Sequence, residues 1–275
     1  MRWKWPKAAS KPTGNPTTEG WVVRFDVITL FPDLFEPFLK SGVTRRAYES
    51  GQVHVRLWNP RDFAQGQYRR VDDRPFGGGP GMVMMAEPLM ACLSAIRADR
   101  GDTRTQAPLV LFSPIGKTLD HAGVQAWSDS SGAVLLCGRY EGIDQRFIDQ
   151  EVDVQISLGD FVLSGGELAA MALLDAVARL QPGVLNDEGS HQLDSFNPAL
   201  DGLLDCPHYT RPEQWQGQGV PAALLSGHHA QIERWRRDQR LRLTARWRPD
   251  LIEAARQAQR LSPQDEQALA AQNAL

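Results

Sequence analysis

The chain has 275 residues, 42% hydrophobic and 23% charged, with a formal net charge of −3. That balance is ordinary for a soluble globular protein, and the length suits one large domain or two smaller ones. It excludes a surface coated in basic residues, and no run approaches the ~20 apolar residues needed to span a bilayer.

Residues 1–20, MRWKWPKAASKPTGNPTTEG, are basic and rich in Pro, Thr, Gly and Lys. They lack the apolar stretch of a secretory signal and read as a disordered extension. Residues 22–30 (VVRFDVITL) are β-rich and end at Phe31-Pro32, where Pro32 suits the first turn of a helix to Leu39. A helix over 43–50 and a strand over 53–58 follow. Residues 59–86 read as a long loop, then a helix over 87–99, a strand over 108–112 and a helix over 118–127. A strand over 133–137, a short helix near 143–150, a strand over 152–158 and a helix over 166–180 complete the series. Strands alternating with helices, with near-continuous apolar runs in the strands, predict an α/β domain on a parallel sheet over 21–185. The stretch 182–204 is rich in Gly, Pro, Asn and Asp, and an interdomain linker is expected over 186–203. A small helical domain is expected over 204–275.

Three glycine-rich turns stand at or near the carboxyl ends of the predicted strands: Pro114-Ile115-Gly116, Gly138-Arg139-Tyr140-Glu141-Gly142 and Ser164-Gly165-Gly166-Glu167. Ligands of open parallel sheets sit there, and glycine lets the backbone approach them. Three such turns predict a ligand cradled by backbone groups. No GxGxxG follows a strand. Gly116-Lys117-Thr118 resembles the end of a P-loop, but Leu111 stands where that motif needs glycine. The loop Arg69–Gly81 combines charges with GGGPG and reads as functional, because the following Met82-Val83-Met84-Met85 should be buried. Cys92, Cys137 and Cys206 form no CxxC pair and are odd in number. That argues against disulfides or a metal cluster and for a reduced, cytoplasmic setting. His208, His228 and His229 do not define a metal site. Residues 228–250 hold seven arginines against three acidic residues. Such a segment is either a phosphate-contacting face or a solvated helix laced with ion pairs. A purely RNA-binding protein would have no need of the three glycine turns.

Arg70–Met85 (RVDDRPFGGGPGMVMM), Cys137–Asp144 (CGRYEGID), Gly159–Leu168 (GDFVLSGGEL), Leu203–Pro212 (LLDCPHYTRP) and Leu224–Trp235 (LLSGHHAQIERW) resemble, in order, the bacterial tRNA (guanine-N1)-methyltransferase family. The likeness runs from about residue 22 to residue 250. That family belongs to the knotted SPOUT methyltransferases and methylates the guanosine just 3′ of the anticodon. The resemblance implies a trefoil knot in the α/β domain, a homodimer with active sites at the subunit interface, and S-adenosylmethionine as methyl donor. It implies a donor pocket lined by Ser113, Pro114, Gly138, Tyr140, Leu158, Gly159, Asp160, Phe161, Val162, Leu163, Gly165 and Gly166. Asp194 matches the family's general base, acting on the other subunit's site. Arg179 matches the arginine that stabilises charge on guanine O6, and Glu141 a residue near the donor. Asp205, Arg234 and Arg237 would hold the tRNA anticodon arm, with Mg²⁺ as a helper lacking a dedicated site. Phe76 and Phe161 stand where tyrosine is common in the family. The linker after Ser195 is longer than in some relatives, and the extension before residue 21 lies outside the family pattern.

Overall fold

The computed structural model describes Trp5 and residues 22–101, 107–186 and 191–272. The expected disorder of residues 1–20 falls, except for Trp5, outside the described residues. By internal contacts the chain divides into two compact units, Met1–Leu185 and Asn186–Leu275.

The first unit is built on five parallel strands: β1 (Val23–Ile28), β2 (Val53–Trp58), β5 (Leu109–Thr118), β6 (Gly132–Leu136) and β7 (Val154–Ser157). Their order is β2-β1-β6-β5-β7. Two-residue strands β3 (Asp72–Asp73) and β4 (Val83–Met84) pair antiparallel inside the stretch read as loop. Of the four residues Met82–Met85 expected to be buried, only Met84 is fully so.

Helices α1 (Phe35–Lys40), α2 (Arg45–Glu49), α3 (Ala86–Arg100), α4 (His121–Ser128), α5 (Gln145–Glu151) and α6 (Glu167–Arg179) connect the strands. The ends of these helices follow local chemistry. Gly101, at φ 66°, closes α3 in the left-handed conformation. The Asp120 carboxylate accepts from Gly123 N at 2.7 Å and starts α4 three residues later than the sequence suggested. Two apolar clusters cover the sheet. One joins Phe25, Phe35, Trp127, Leu173 and Val177; the other joins Ile28, Met84, Leu93, Ile96 and Phe147. Both faces of the strands are therefore covered, which explains their unbroken apolar runs.

The strand expected to end at residue 112 continues to Thr118. Phe112 and Lys117 both pair with Ile156, so Ser113–Gly116 bulge out between them. Gly116 lies so close to β7 that a Cβ would stand 2.5 Å from Ile156 N. Asp26, fully buried on β1, is paired with Arg100 at 2.8 Å and Arg24 at 2.9 Å and accepts from the Trp58 indole at 2.8 Å.

The second unit contains a short hairpin, β8 (Gln214–Trp215) and β9 (Gln218–Gly219), and helices α7 (Ala222–Leu225), α8 (His229–Trp247), α9 (Pro249–Gln257) and α10 (Pro263–Gln272). Its core is Leu203, Leu241, Ile252, Ala255 and Leu269. Residues 191–203, expected to be linker, fold as turns. Asn197 donates to His191 O at 3.0 Å and accepts from Ala199 N at 2.9 Å, and Leu203 is wholly buried. Among the described residues, no helix is long and apolar enough to cross a membrane.

Candidate active site

Two of the three glycine turns, GRYEG and SGGE, meet Pro114 of the third in one cavity of about 260 Å³ at the β5 bulge and the carboxyl ends of β6 and β7, while Gly116 packs against β7 instead of on the wall. Leu111, Ile143, Ile148 and Ile156 give it apolar walls, while Gly138, Gly159, Gly165 and Gly166 offer backbone groups. Each turn is placed by its strand. The β5 bulge contributes Ser113 and Pro114, and the segment after β6 contributes Gly138 to Ile143. The segment between β7 and α6 contributes Leu158, Gly159 and Phe161 to Gly166.

Close approach makes glycine necessary at the junction. A Cβ on Gly166 would stand 2.7 Å from Cys137 Cα, and Gly166 N donates to Gly138 O at 3.0 Å. Tyr140 holds φ 61° without being glycine, a conformation that persists only where its surroundings enforce it. Burial, then the Asp72 carboxylate, push its phenol above the ordinary range, and Arg61 reaches the hydroxyl at 3.5 Å.

The GGGPG loop ends at this cavity. Glu141 N donates to Met82 O at 3.0 Å, Met84 N to Gly142 O at 2.8 Å and Asp144 N to Met84 O at 3.0 Å. Residues 82–84 thus run beside the GRYEG turn, while Phe76 at the loop's other end is 100% exposed.

Of the twelve residues expected around a donor, eleven line the cavity; Asp160 does not, and is exposed. Glu141 is also on the wall. Arg139 lines it as well, unforeseen as a site residue although it sits inside the GRYEG motif. The apolar residues Leu111, Phe112, Ile143, Ile148 and Ile156 were not foreseen, because apolar residues of strands, helices and turns carry no local mark of a cavity. Gly116-Lys117-Thr118 forms strand rather than a phosphate loop, with the Lys117 ammonium 4.2 Å from the Trp5 ring centre.

Arg179 is not on the wall. It ends α6, whose first turn is at the cavity, so twelve residue rises put it roughly 18 Å away along the axis. Asp194 belongs to the second unit and is half-buried.

Also in the second unit, burial raises the Asp205 carboxyl. Hydrogen bonds from Cys206 N at 2.7 Å, His208 at 2.9 Å and Arg240 at 3.4 Å outweigh that and hold it below the usual carboxylate range. Asp205, Cys206 and His208 converge closely enough to hold a metal ion, but Asp205 is already engaged by these donors.

Most of the α8 arginines are paired. Arg234 meets Asp238 and, at 3.2 Å, Asp265; Arg237 meets Asp201 at 2.7 Å and Asp265 at 3.0 Å. Among the described residues, Arg242 and Arg246 make no ion pair and are exposed; Arg246 lies 4.9 Å from the centre of the exposed Trp247 ring.

The chain is similar to known proteins over most of its length. The tRNA (guanine-N(1)-)-methyltransferase of Paracidovorax citrulli is 78% identical over 254 residues, covering 92% of this chain and all of that protein. Its namesake from Polaromonas sp. is 76% identical over 90% of this chain and 96% of its own length. That of Bordetella pertussis is 59% identical over 90% and 97% respectively. Residues 23–254 match the family described as tRNA (Guanine-1)-methyltransferase TrmD, and this chain therefore belongs to that family.

Proposed function

We propose that this chain transfers the methyl group of S-adenosylmethionine to N1 of the guanosine immediately 3′ of the anticodon, position 37, in tRNA. The observation that carries this reading is the gathering of the GRYEG turn, the SGGE turn and the β5 bulge at Pro114 around one cavity. The cavity's chemistry fits such a donor: branched apolar walls for a flat base, and glycine backbone for its polar groups. When bound, S-adenosylmethionine supplies a methyl group already activated on a sulfonium sulfur.

The chain's own residues do the rest. Guanine N1 carries a proton and is a weak nucleophile until that proton leaves. The Asp194 carboxylate takes it as general base. Negative charge then spreads to O6, where the Arg179 guanidinium stabilises it. The cavity wall, Tyr140 and Glu141 included, fixes the donor so that nitrogen, methyl carbon and sulfur align.

The same reading includes a trefoil knot formed by the later crossovers, a cytoplasmic setting, and Mg²⁺ as a helper ion. It also includes a homodimer. Val162 is 85% exposed, and Ile115, Phe161, Leu163 and Leu168 are exposed with it near the cavity, a large apolar surface for a monomer to leave in water. The saturation of Arg234 and Arg237 by carboxylates moves the anticodon-arm contact to Arg242, Arg246 and Trp247. Two free guanidiniums suit phosphates, and an exposed indole suits an unstacked base.

Asp194→Asn tests the base. It should retain S-adenosylmethionine binding while methyl transfer, read as a primer-extension stop on tRNA, falls by about 10²- to 10⁴-fold. Undiminished turnover in that variant removes Asp194 from the role.

A further inference from the structure

Behind the cavity wall lies a charged group that the methyl-transfer chemistry does not use. Glu167, the first residue of α6, is 1% exposed. Thr29, just past β1, donates from Oγ1 to Glu167 Oε1 at 2.9 Å and accepts from Phe31 N at 3.0 Å. The other carboxylate oxygen, Oε2, stands 2.9 Å from Arg139 Nε. Both of those atoms are buried, and the N–H is not aimed at the oxygen, so the contact is an ion pair rather than an aligned hydrogen bond. Arg139 reaches further, donating from Nη1 to Ser164 O at 3.1 Å and lying 4.4 Å from the Phe31 ring centre.

One carboxylate therefore ties together three segments remote in sequence: the end of β1, the GRYEG turn and the SGGE turn. The last two line the cavity. Gly165, itself on the cavity wall, packs directly against the pair, since a Cβ there would fall 2.3 Å from Arg139 Nε and 2.5 Å from Glu167 Oε2. A buried charge without its partner is costly, so neither residue can swing away independently.

We propose that Glu167 is a positioning residue for the methyl donor. Acting through Arg139, it holds the GRYEG and SGGE turns at the separation the donor requires. This rests on the donor-binding reading above and adds to it the device that sets the shape of the pocket.

The test is isothermal titration of S-adenosylmethionine into the full-length protein without tRNA. It compares wild type, Glu167→Gln, Glu167→Asp and Arg139→Lys, with the folded fraction checked by circular dichroism and tRNA affinity measured separately. Glu167→Gln keeps the size and an acceptor for Thr29 but loses the charge. It should weaken donor binding by tenfold or more, with tRNA affinity within about twofold of wild type. Glu167→Asp, which restores the charge, should recover part of the loss. Arg139→Lys, which keeps the charge but cannot reach Ser164 O and Glu167 together, should weaken donor binding alike. A role confined to stability would lower the folded fraction and leave the dissociation constant of the folded molecules unchanged. Donor affinity within twofold of wild type in folded Glu167→Gln overturns the proposal; if that variant does not fold, the same result in Arg139→Lys overturns it. Absence of donor binding by wild type would instead overturn the donor-binding reading itself.

Discussion

Replacing Arg242 and Arg246 together by alanine separates two readings of the arginine-rich helix. Four of its six arginines, Arg234, Arg236, Arg237 and Arg240, are already matched to carboxylates, and Arg248 just past its end meets Asp250. Arg242 and Arg246 are four residues apart, hence neighbours on one helix face, and both are exposed. If each neutralises one tRNA phosphate, the double variant should bind tRNA with a salt slope shallower by roughly 1.4 to 1.8, since each phosphate contributes about 0.7 to 0.9. The ratio of wild-type to variant affinity should then shrink by roughly 7- to 12-fold between about 50 and about 200 mM salt. Filter binding or fluorescence anisotropy across that range reads this directly, with circular dichroism to show the fold intact. Arg234→Ala with Arg237→Ala should act differently, leaving Asp265 buried without its arginine partners and lowering stability by about 3 to 5 kcal/mol. An unchanged salt slope in the Arg242/Arg246 variant, with the slope falling instead in a still-folded Arg234/Arg237 variant, refutes the assignment.

Gly132 pairs with Arg24 across β6 and β1 at φ 100°, and a Cβ there would meet Arg24 O at 1.8 Å. Gly132→Ala should cost at least about 3 kcal/mol in urea unfolding, because the clash is with a strand backbone that cannot yield; a loss under 1 kcal/mol would show that the pairing relaxes. Burial raises the Asp265 carboxyl, but Arg237 and the Ser262 N–H and hydroxyl outweigh it and hold it at about 2. Its folded-state value is thus depressed below an unfolded value of about 3.9, so its contribution is complete above about pH 4 and is lost as pH falls toward 2. The urea midpoint should drop between pH 5 and pH 3, and Asp265→Asn should flatten that drop; an equal drop in the variant would assign the acid sensitivity elsewhere.

The parts of the fold legible in the sequence were those whose signals are local. Strand β2 matches its reading because Gly51 before it and Asn59-Pro60 after it punctuate a six-residue β-rich run. Strand β5 was cut short because Ser-Pro-Ile-Gly looks like a turn. The strand resumes only because β7 accepts a four-residue bulge, a fact about a partner strand rather than about the segment itself. The glycine turns marked the cavity, since close backbone approach requires glycine wherever it occurs. The fate of the arginines was only half legible. The Arg234–Asp238 spacing is visible along one helix, but Asp201 and Asp265, which also pair with these arginines, arrive from other segments. Glu167 was hidden for the same reason: its partners, Thr29 and Arg139, lie 138 and 28 positions away in the chain.

The placement of Arg179 bears on how many chains make one active site. Helix α6 begins at the cavity and ends at Arg179 after 13 residues, so the arginine lies farther from its own chain's pocket than its side chain extends. If Arg179 faces guanine O6, it faces a guanine held at another copy's cavity, and the exposed apolar residues near the cavity mouth are where that copy would sit. Mixing two inactive variants decides this. Gly138→Leu, whose Cβ would point between the wall residues Ile143 and Leu111, blocks the cavity but keeps Asp194 and Arg179; the double variant Asp194→Asn, Arg179→Ala keeps the cavity but lacks both side chains. If the site is shared between chains, co-refolding them one to one yields mixed dimers in which one site has an open cavity and a partner with both side chains. Random pairing then restores activity to about a quarter of wild type, because half the dimers are mixed and one of their two sites is complete. If each chain serves its own cavity, every site in every pairing lacks one component, and the mixture stays as inactive as its parents.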